Sequence, residues 1–218
     1  MIRAILFDLD GTLYDRDASL LEITVDLFEA FHSDLAGVGR DSFIDRSIEL
    51  DAHGHGRAPR LYHRLGRELG FSAEVADRLE ARFSTSYPGY CRTPTDTLDT
   101  LHELRAHGKK LGVITNGPVE WQLRKLDALG LVSWFDTILI SEAEGIEKPD
   151  SRIFVRGVER CGTDASAAMF VGDHPEADVA GARAAGLFPV WKRVPYWAAP
   201  PDILHISRLQ EILPICLP

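Results

Sequence analysis

Five short apolar runs set the frame of the chain: Ile2 to Phe7, Lys110 to Thr115 (KLGVIT), Thr137 to Ile140 (TILI), Ala168 to Val171 (AMFV) and Phe188 to Trp191 (FPVW). Each is short and largely apolar without strict alternation, the pattern of a strand buried on both faces. The stretches between the later runs carry helix start and stop signals. Thr93 and Pro94 open a helix that closes near Gly108, with Leu98, Leu101 and Leu104 on its apolar face. Pro118 opens the next, which carries Trp121, Leu126 and Leu129 and ends at Gly130. Asp150 caps a third that ends at Gly162, and Pro175 opens a fourth that ends at Gly186. Strand and helix in alternation predict a parallel sheet with helices on both faces.

The segment from Asp17 to Tyr87 breaks this rhythm, with no strand pattern and four helical ones. Leu20, Leu21, Leu27, Phe28 and Phe31 mark the first, and Phe43, Ile44 and Ile48 the second. Leu61, Leu65 and Leu69 mark the third, closed by Gly70; the fourth is capped by Ser72 and carries Val75, Leu79 and Phe83. The expected architecture is therefore a doubly wound, Rossmann-like α/β core with a parallel five-stranded sheet, spanning 1–16 and 88–218, and an all-helical cap spanning 17–87. Near the end, Ser207 and Gln210 have capping-box spacing and predict a short closing helix before Pro214.

Composition narrows the functions this fold could serve. With 218 residues, 45% hydrophobic and 26% charged, the chain can build one full core and a smaller insert. A net charge of -9 argues against nucleic-acid or anionic-membrane partners, so a phosphate-bearing ligand has to be held by local groups. Cys91, Cys161 and Cys216 form no CxxC pair, and the start, MIRAILFDLD, lacks the longer apolar stretch of a signal peptide. A cytoplasmic protein, monomer or homodimer, is the expectation.

In an open parallel sheet the ligand crevice lies at the carboxyl ends of the strands. Asp8, Asp10 and Thr12 follow the first run, Thr115 and Asn116 end the second, and Asp173 follows the fourth; Lys148 lies in the loop after the third. Alternation along an extended segment puts Asp8 and Asp10 on one side with Cα atoms about 7 Å apart, so a cation or a proton has to sit between them. Magnesium fits such hard oxygen donors. The set suits phosphoryl transfer: one carboxylate to attack phosphorus, a second to carry a proton, the Thr115 hydroxyl for phosphate oxygens, and Lys148 as a balancing charge.

Four motifs in order, DLDGT at 8–12, ITNG at 114–117, KPDSRIF at 148–154 and VGDHPEAD at 171–178, make the chain resemble the haloacid dehalogenase (HAD) superfamily, in its helical-cap phosphatase-like branch. The resemblance implies a magnesium-dependent phosphoric monoester hydrolase acting on a small phosphorylated metabolite through an aspartyl-phosphate. It implies Asp8 as nucleophile, Asp10 as acid and base, Thr115, Asn116 and Lys148 at the phosphate, and Lys148 as the charge-balancing group. Metal ligands would be the Asp8 and Asp173 side chains and the Asp10 carbonyl, with Asp178 more suited to the surroundings than to direct ligation. Ser151 stands where many relatives have Pro, a departure at a helix start.

A phosphomutase shares these motifs. A 2-haloacid dehalogenase of the superfamily would have no use for the proton carrier at Asp10, and a phospho-accepting signalling module would have no place for the inserted helices. Tyr14, His53, His55 and Arg57 are the candidate substrate contacts; Tyr14 reads equally as a packing residue, and the last three lie in a glycine-rich turn that reads first as a solvated connection between helices.

Overall fold

The computed structural model describes residues 1–54 and 60–217. The chain divides into two compact units, Met1–Asp15 with Arg92–Pro218, and Arg16–Cys91. The first is built on a parallel sheet of β1 (Ala4–Phe7), β2 (Lys110–Thr115), β3 (Thr137–Ile140), β4 (Ala168–Gly172), β5 (Phe188–Lys192) and β6 (His205–Ile206), in the order β3-β2-β1-β4-β5-β6. All four residues of β1 are wholly buried, as a central strand covered on both faces requires. The sequence pattern predicts five strands, and the sixth is a correction. His205 and Ile206 pair with Trp191 and Lys192 at the sheet edge, a strand too short to leave an apolar run.

Among its described residues the second unit has only helices as regular elements: α1 (Arg16–Ala30), α2 (Arg40–Asp51), α3 (Leu61–Leu69) and α4 (Ala73–Ser86), with short helical turns beside them. The four helices coincide with the four apolar patterns. Gly70 ends α3 in the left-handed region, and the Ser72 hydroxyl accepts from the Val75 N–H at the start of α4. Phe43 packs against Phe28, Tyr62 and Phe71, joining three of the helices to the chain after α3.

Around the sheet lie α5 (Thr95–Ala106), α6 (Val119–Ala128), α7 (Ser141–Glu144), α8 (Ser151–Arg160), α9 (Gly181–Ala184) and α10 (Leu213–Cys216). Ile153, Phe154 and Val158 of α8 meet Leu6, Ile114, Leu139 and Phe170 of the strands in the main core. Three expectations shift. The helix opened by Pro175 begins as a π-helix over Pro175–Ala180, because the His174 carbonyl accepts from Val179 as well as Asp178 and the Asp178 side chain folds back on the His174 N–H. On α5, Thr97 and Thr100 are buried where Leu98 is only half-buried, their hydroxyls bonded to the carbonyls of Leu13 and Asp96. The closing box uses Glu211, whose carboxylate accepts from the Arg208 N–H at 2.8 Å, and the following α10 runs past Pro214.

Asp136, just before β3, ties three segments together: it accepts from the Leu111 N–H at 2.9 Å, from Lys110 at 2.9 Å and from Arg105 at 3.0 Å. Burial alone would raise its carboxyl, but these donors outweigh burial and hold it below the usual carboxylate range. A depressed carboxyl contributes stability above its unfolded value of about 4 and loses it as pH falls through the folded value. Asp136→Asn should therefore cost about 1–2 kcal/mol near pH 7, with the gap to the native protein closing below about pH 4. Urea unfolding across pH checks this, and a gap independent of pH would contradict it.

Candidate active site

Strand register assembles the site. Phe7 lies beside Val113 and Val171, so Asp8 comes level with Ile114 and Gly172, and its N–H donates to the Val171 carbonyl at 2.9 Å. Thr115 closes β2 one residue on, and Asp173 follows β4. From β1 the chain moves to β2 and β3 on one side, then to β4 and β5 on the other, which makes the β1/β4 junction the switch point where ligand crevices form.

Asp8, Asp173 and Asp178 are buried, and their carboxylate oxygens can be chosen to lie all within 4.8 Å of one another. Lys148 Nζ, itself buried, donates to Asp8 at 2.6 Å and to Asp178 at 2.7 Å. The second Asp178 oxygen accepts from the His174 N–H at 2.9 Å. Asp173 is anchored through its carbonyl, which accepts from the Trp191 indole at 2.6 Å. Gly11 makes room for it: the glycine has φ +82°, and a Cβ there would come 2.6 Å from an Asp173 oxygen.

Burial pushes the Asp8 carboxyl up, Lys148 pulls it back, and Asp178 and Asp10 add to the rise. Burial likewise pushes Asp173 up, with the Asp8 and Asp178 charges adding to it. For Lys148, burial would lower the ammonium, but Asp178 and Asp8 outweigh it and hold it above its ordinary value. Among the described residues no Lys or Arg pairs with Asp173, so three carboxyl groups share one ammonium, and the rise of Asp8 and Asp173 marks a site short of positive charge. This donor set fits a divalent cation with a preference for oxygen.

Asp10 has separate surroundings. Lys125 Nζ lies 2.5 Å from each of its carboxylate oxygens, Gln122 Nε2 donates to it at 3.1 Å, and the Tyr14 hydroxyl donates at 2.5 Å. Gln122 also donates to the Thr115 hydroxyl and to the Asn116 carbonyl. Lys125 and Gln122 escaped the sequence reading.

The structure thus brings Asp8, Asp10, Thr115, Lys148, Asp173 and Asp178 to one end of the sheet. The side chains of two further candidates are engaged with protein groups. The Asn116 side chain pairs in both directions with the main chain of Lys148, at 2.9 Å each way, so the group it could offer a phosphate is its N–H. Tyr14, a candidate substrate contact from sequence, is buried and bonded to Asp10. His53 belongs to the helical unit, where its Nδ1 is 2.8 Å from Asp17. His55 and Arg57 lie outside the described residues.

Comparison with known proteins places the chain in a family. The model of the haloacid dehalogenase-like hydrolase family matches residues 2–186. A glyceraldehyde 3-phosphate phosphatase of Methanopyrus kandleri is 34% identical over 197 residues, covering 87% of this chain and 83% of its own. The pyrimidine 5'-nucleotidase YjjG of Escherichia coli is 30% identical, with 95% of each chain covered. The crystal structure of the HAD-hydrolase YfnB from Bacillus subtilis, bound to magnesium, superposes with a TM-score of 0.78 at 26% identity, covering 99% of this chain and 98% of that one. The chain belongs to the haloacid dehalogenase-like hydrolase family. Among the described residues no helix is long and apolar enough to cross a membrane.

Proposed function

We propose that the chain is a magnesium-dependent phosphatase that hydrolyses a small phosphorylated metabolite through a phosphoryl group carried on Asp8. The observation that carries this reading is the division of the carboxylates: Asp8 sits with Lys148, Asp173 and Asp178 in a cation-seeking cluster, while Asp10, two residues on, has its own ammonium. The phosphatase and nucleotidase named above support the reaction class, and the magnesium in YfnB supports the ion.

An oxygen of the Asp8 carboxylate, which Lys148 and a bound cation would favour against burial, attacks phosphorus while the bond to the substrate's alkoxy oxygen breaks. That oxygen takes the proton carried by Asp10. Water then attacks the phosphorus of the acyl phosphate and gives its proton to Asp10. The bond to Asp8 breaks, and inorganic phosphate leaves. The Thr115 hydroxyl and the Asn116 N–H bind phosphoryl oxygens. The ion would be held by the side chains of Asp8 and Asp173 and the carbonyl of Asp10, and when bound it supplies neutralisation of the phosphoryl oxygens. Asp178, with one oxygen on Lys148 and the other on the His174 N–H, holds Lys148 in place. The helical unit supplies none of these groups and is read as a cap that sets substrate choice.

The support around Asp10 also weighs against a dehalogenase, in which Asp8 would attack carbon and no leaving oxygen would need a proton. The test is a panel of phosphomonoesters and 2-haloacids with magnesium, reading free phosphate and halide. Phosphate release should stop in excess chelator and return with magnesium. Calcium should inhibit, because its larger and looser shell misaligns the in-line attack. Halide release without phosphate, transfer of phosphate within the substrate, or full rate in chelator would contradict the reading.

A further inference from the structure

α6 buries the wrong residues for an ordinary amphipathic helix. Gln122 and Lys125, three residues apart and hence on one face, are 1% and 2% exposed, while Leu123 between them is 42% exposed. A buried ammonium is tolerated only when paired, and its partner is Asp10, which it meets at both carboxylate oxygens. Gln122 contributes one amide nitrogen to Asp10, to the Thr115 hydroxyl and to the Asn116 carbonyl, and its own Oε1 is buried with no hydrogen-bond partner. An orphaned buried acceptor is costly, so a residue kept in this arrangement is held there by what its other end does.

We infer that Lys125 and Gln122 are positioning residues for the hydrolysis: Lys125 fixes the plane of the Asp10 carboxylate, and Gln122 fixes Asp10 relative to Thr115. The inference rests on the reading of Asp10 as proton carrier and deepens it. An Asp side chain in a loop can turn about two bonds, and a proton carrier must stay within hydrogen-bond reach of the leaving oxygen. One ammonium against both oxygens removes that freedom, and the Tyr14 hydroxyl holds the same carboxylate from its own side. At Thr115, accepting from Gln122 occupies a lone pair and leaves the single hydroxyl hydrogen to be donated elsewhere, as a phosphoryl oxygen requires. The first turns of α6 thus link the group that moves protons to the group that holds phosphate.

The test is Lys125→Met in the native and in the Asp10→Asn background. It compares single-turnover rates on an alkyl phosphate with the pre-steady-state nitrophenol release from p-nitrophenyl phosphate. A misplaced carboxylate should slow the alkyl phosphate by about a hundredfold. Its KM and the nitrophenol release, which needs no proton from Asp10, should change by less than about threefold. In the Asp10→Asn background Lys125→Met should cost nothing further on the alkyl phosphate. Equal losses on both substrates, or an additional loss without Asp10, would overturn the inference and leave Lys125 as a structural cross-link. Should Lys125→Met fail to fold, Lys125→Gln, which keeps a donor toward Asp10, is expected to show the same split in weaker form, and its absence overturns the inference equally. If Asp10→Asn alone leaves alkyl phosphate turnover at the native rate, the reading of Asp10 has failed first, an outcome distinct from failure of the positioning role.

Discussion

Asp10→Asn should separate the two halves of the reaction. The amide keeps the size of the side chain and the backbone carbonyl while removing the proton carrier. An alkyl phosphate, whose leaving oxygen needs that proton, should react about a hundred to ten thousand times more slowly. The leaving group of p-nitrophenyl phosphate is stable as an anion, so attack by Asp8 should be largely spared, while water attack on the phospho-enzyme lacks its base. The expected trace is a burst of nitrophenol close to about one per active site, followed by slow turnover. Asp8→Asn should give no burst. Native turnover of alkyl phosphates by Asp10→Asn would require another residue as acid and base.

Lys148→Met should cost both stability and activity. Lys148 is the ammonium between Asp8 and Asp178, and all three are buried. Removing one member of a buried ion cluster leaves uncompensated charge, a loss of about 3–5 kcal/mol. Urea unfolding in chelator, where no cation can substitute, reads that term. Activity with magnesium should fall by about a thousandfold, as for the loss of a preorganised charge beside a developing transition state. A variant of native stability and rate would remove Lys148 from the account. The contrast with Lys125 is informative, because Asp10 is partly open to water and can be solvated when its partner goes.

How far the sequence carries this site depends on what each residue is doing. Asp8, Thr115 and Asp173 are legible because parallel strands buried on both faces leave continuous apolar runs, and the residue after such a run sits at the sheet's carboxyl edge. Lys148 is legible from its loop after the third strand only because the carboxylates beside it call for a positive charge, since a Lys in a loop is otherwise a surface residue; its motif makes the assignment specific. Gln122 and Lys125 were hidden because a polar pair at helical spacing ordinarily marks the solvated face. The available signal was Leu123 lying out of phase with them in a helix that starts just after Thr115 and Asn116. β6 was hidden by its length, and the π-turn at Pro175 by the side-chain bonds of His174 and Asp178 that produce it. The role of Asn116 followed the motif's position, whereas its side chain is engaged with the main chain of Lys148.

The central claim is that phosphate passes through a covalent bond to Asp8. The most direct measurement is acid quench of Asp10→Asn during reaction with p-nitrophenyl phosphate, followed by peptide mass mapping. The account predicts a single phosphoryl group on the peptide from the start of the chain, placed on Asp8, released by hydroxylamine and missing in Asp8→Asn. A phosphoryl group on any other residue, or none while nitrophenol is released in a burst, would contradict it.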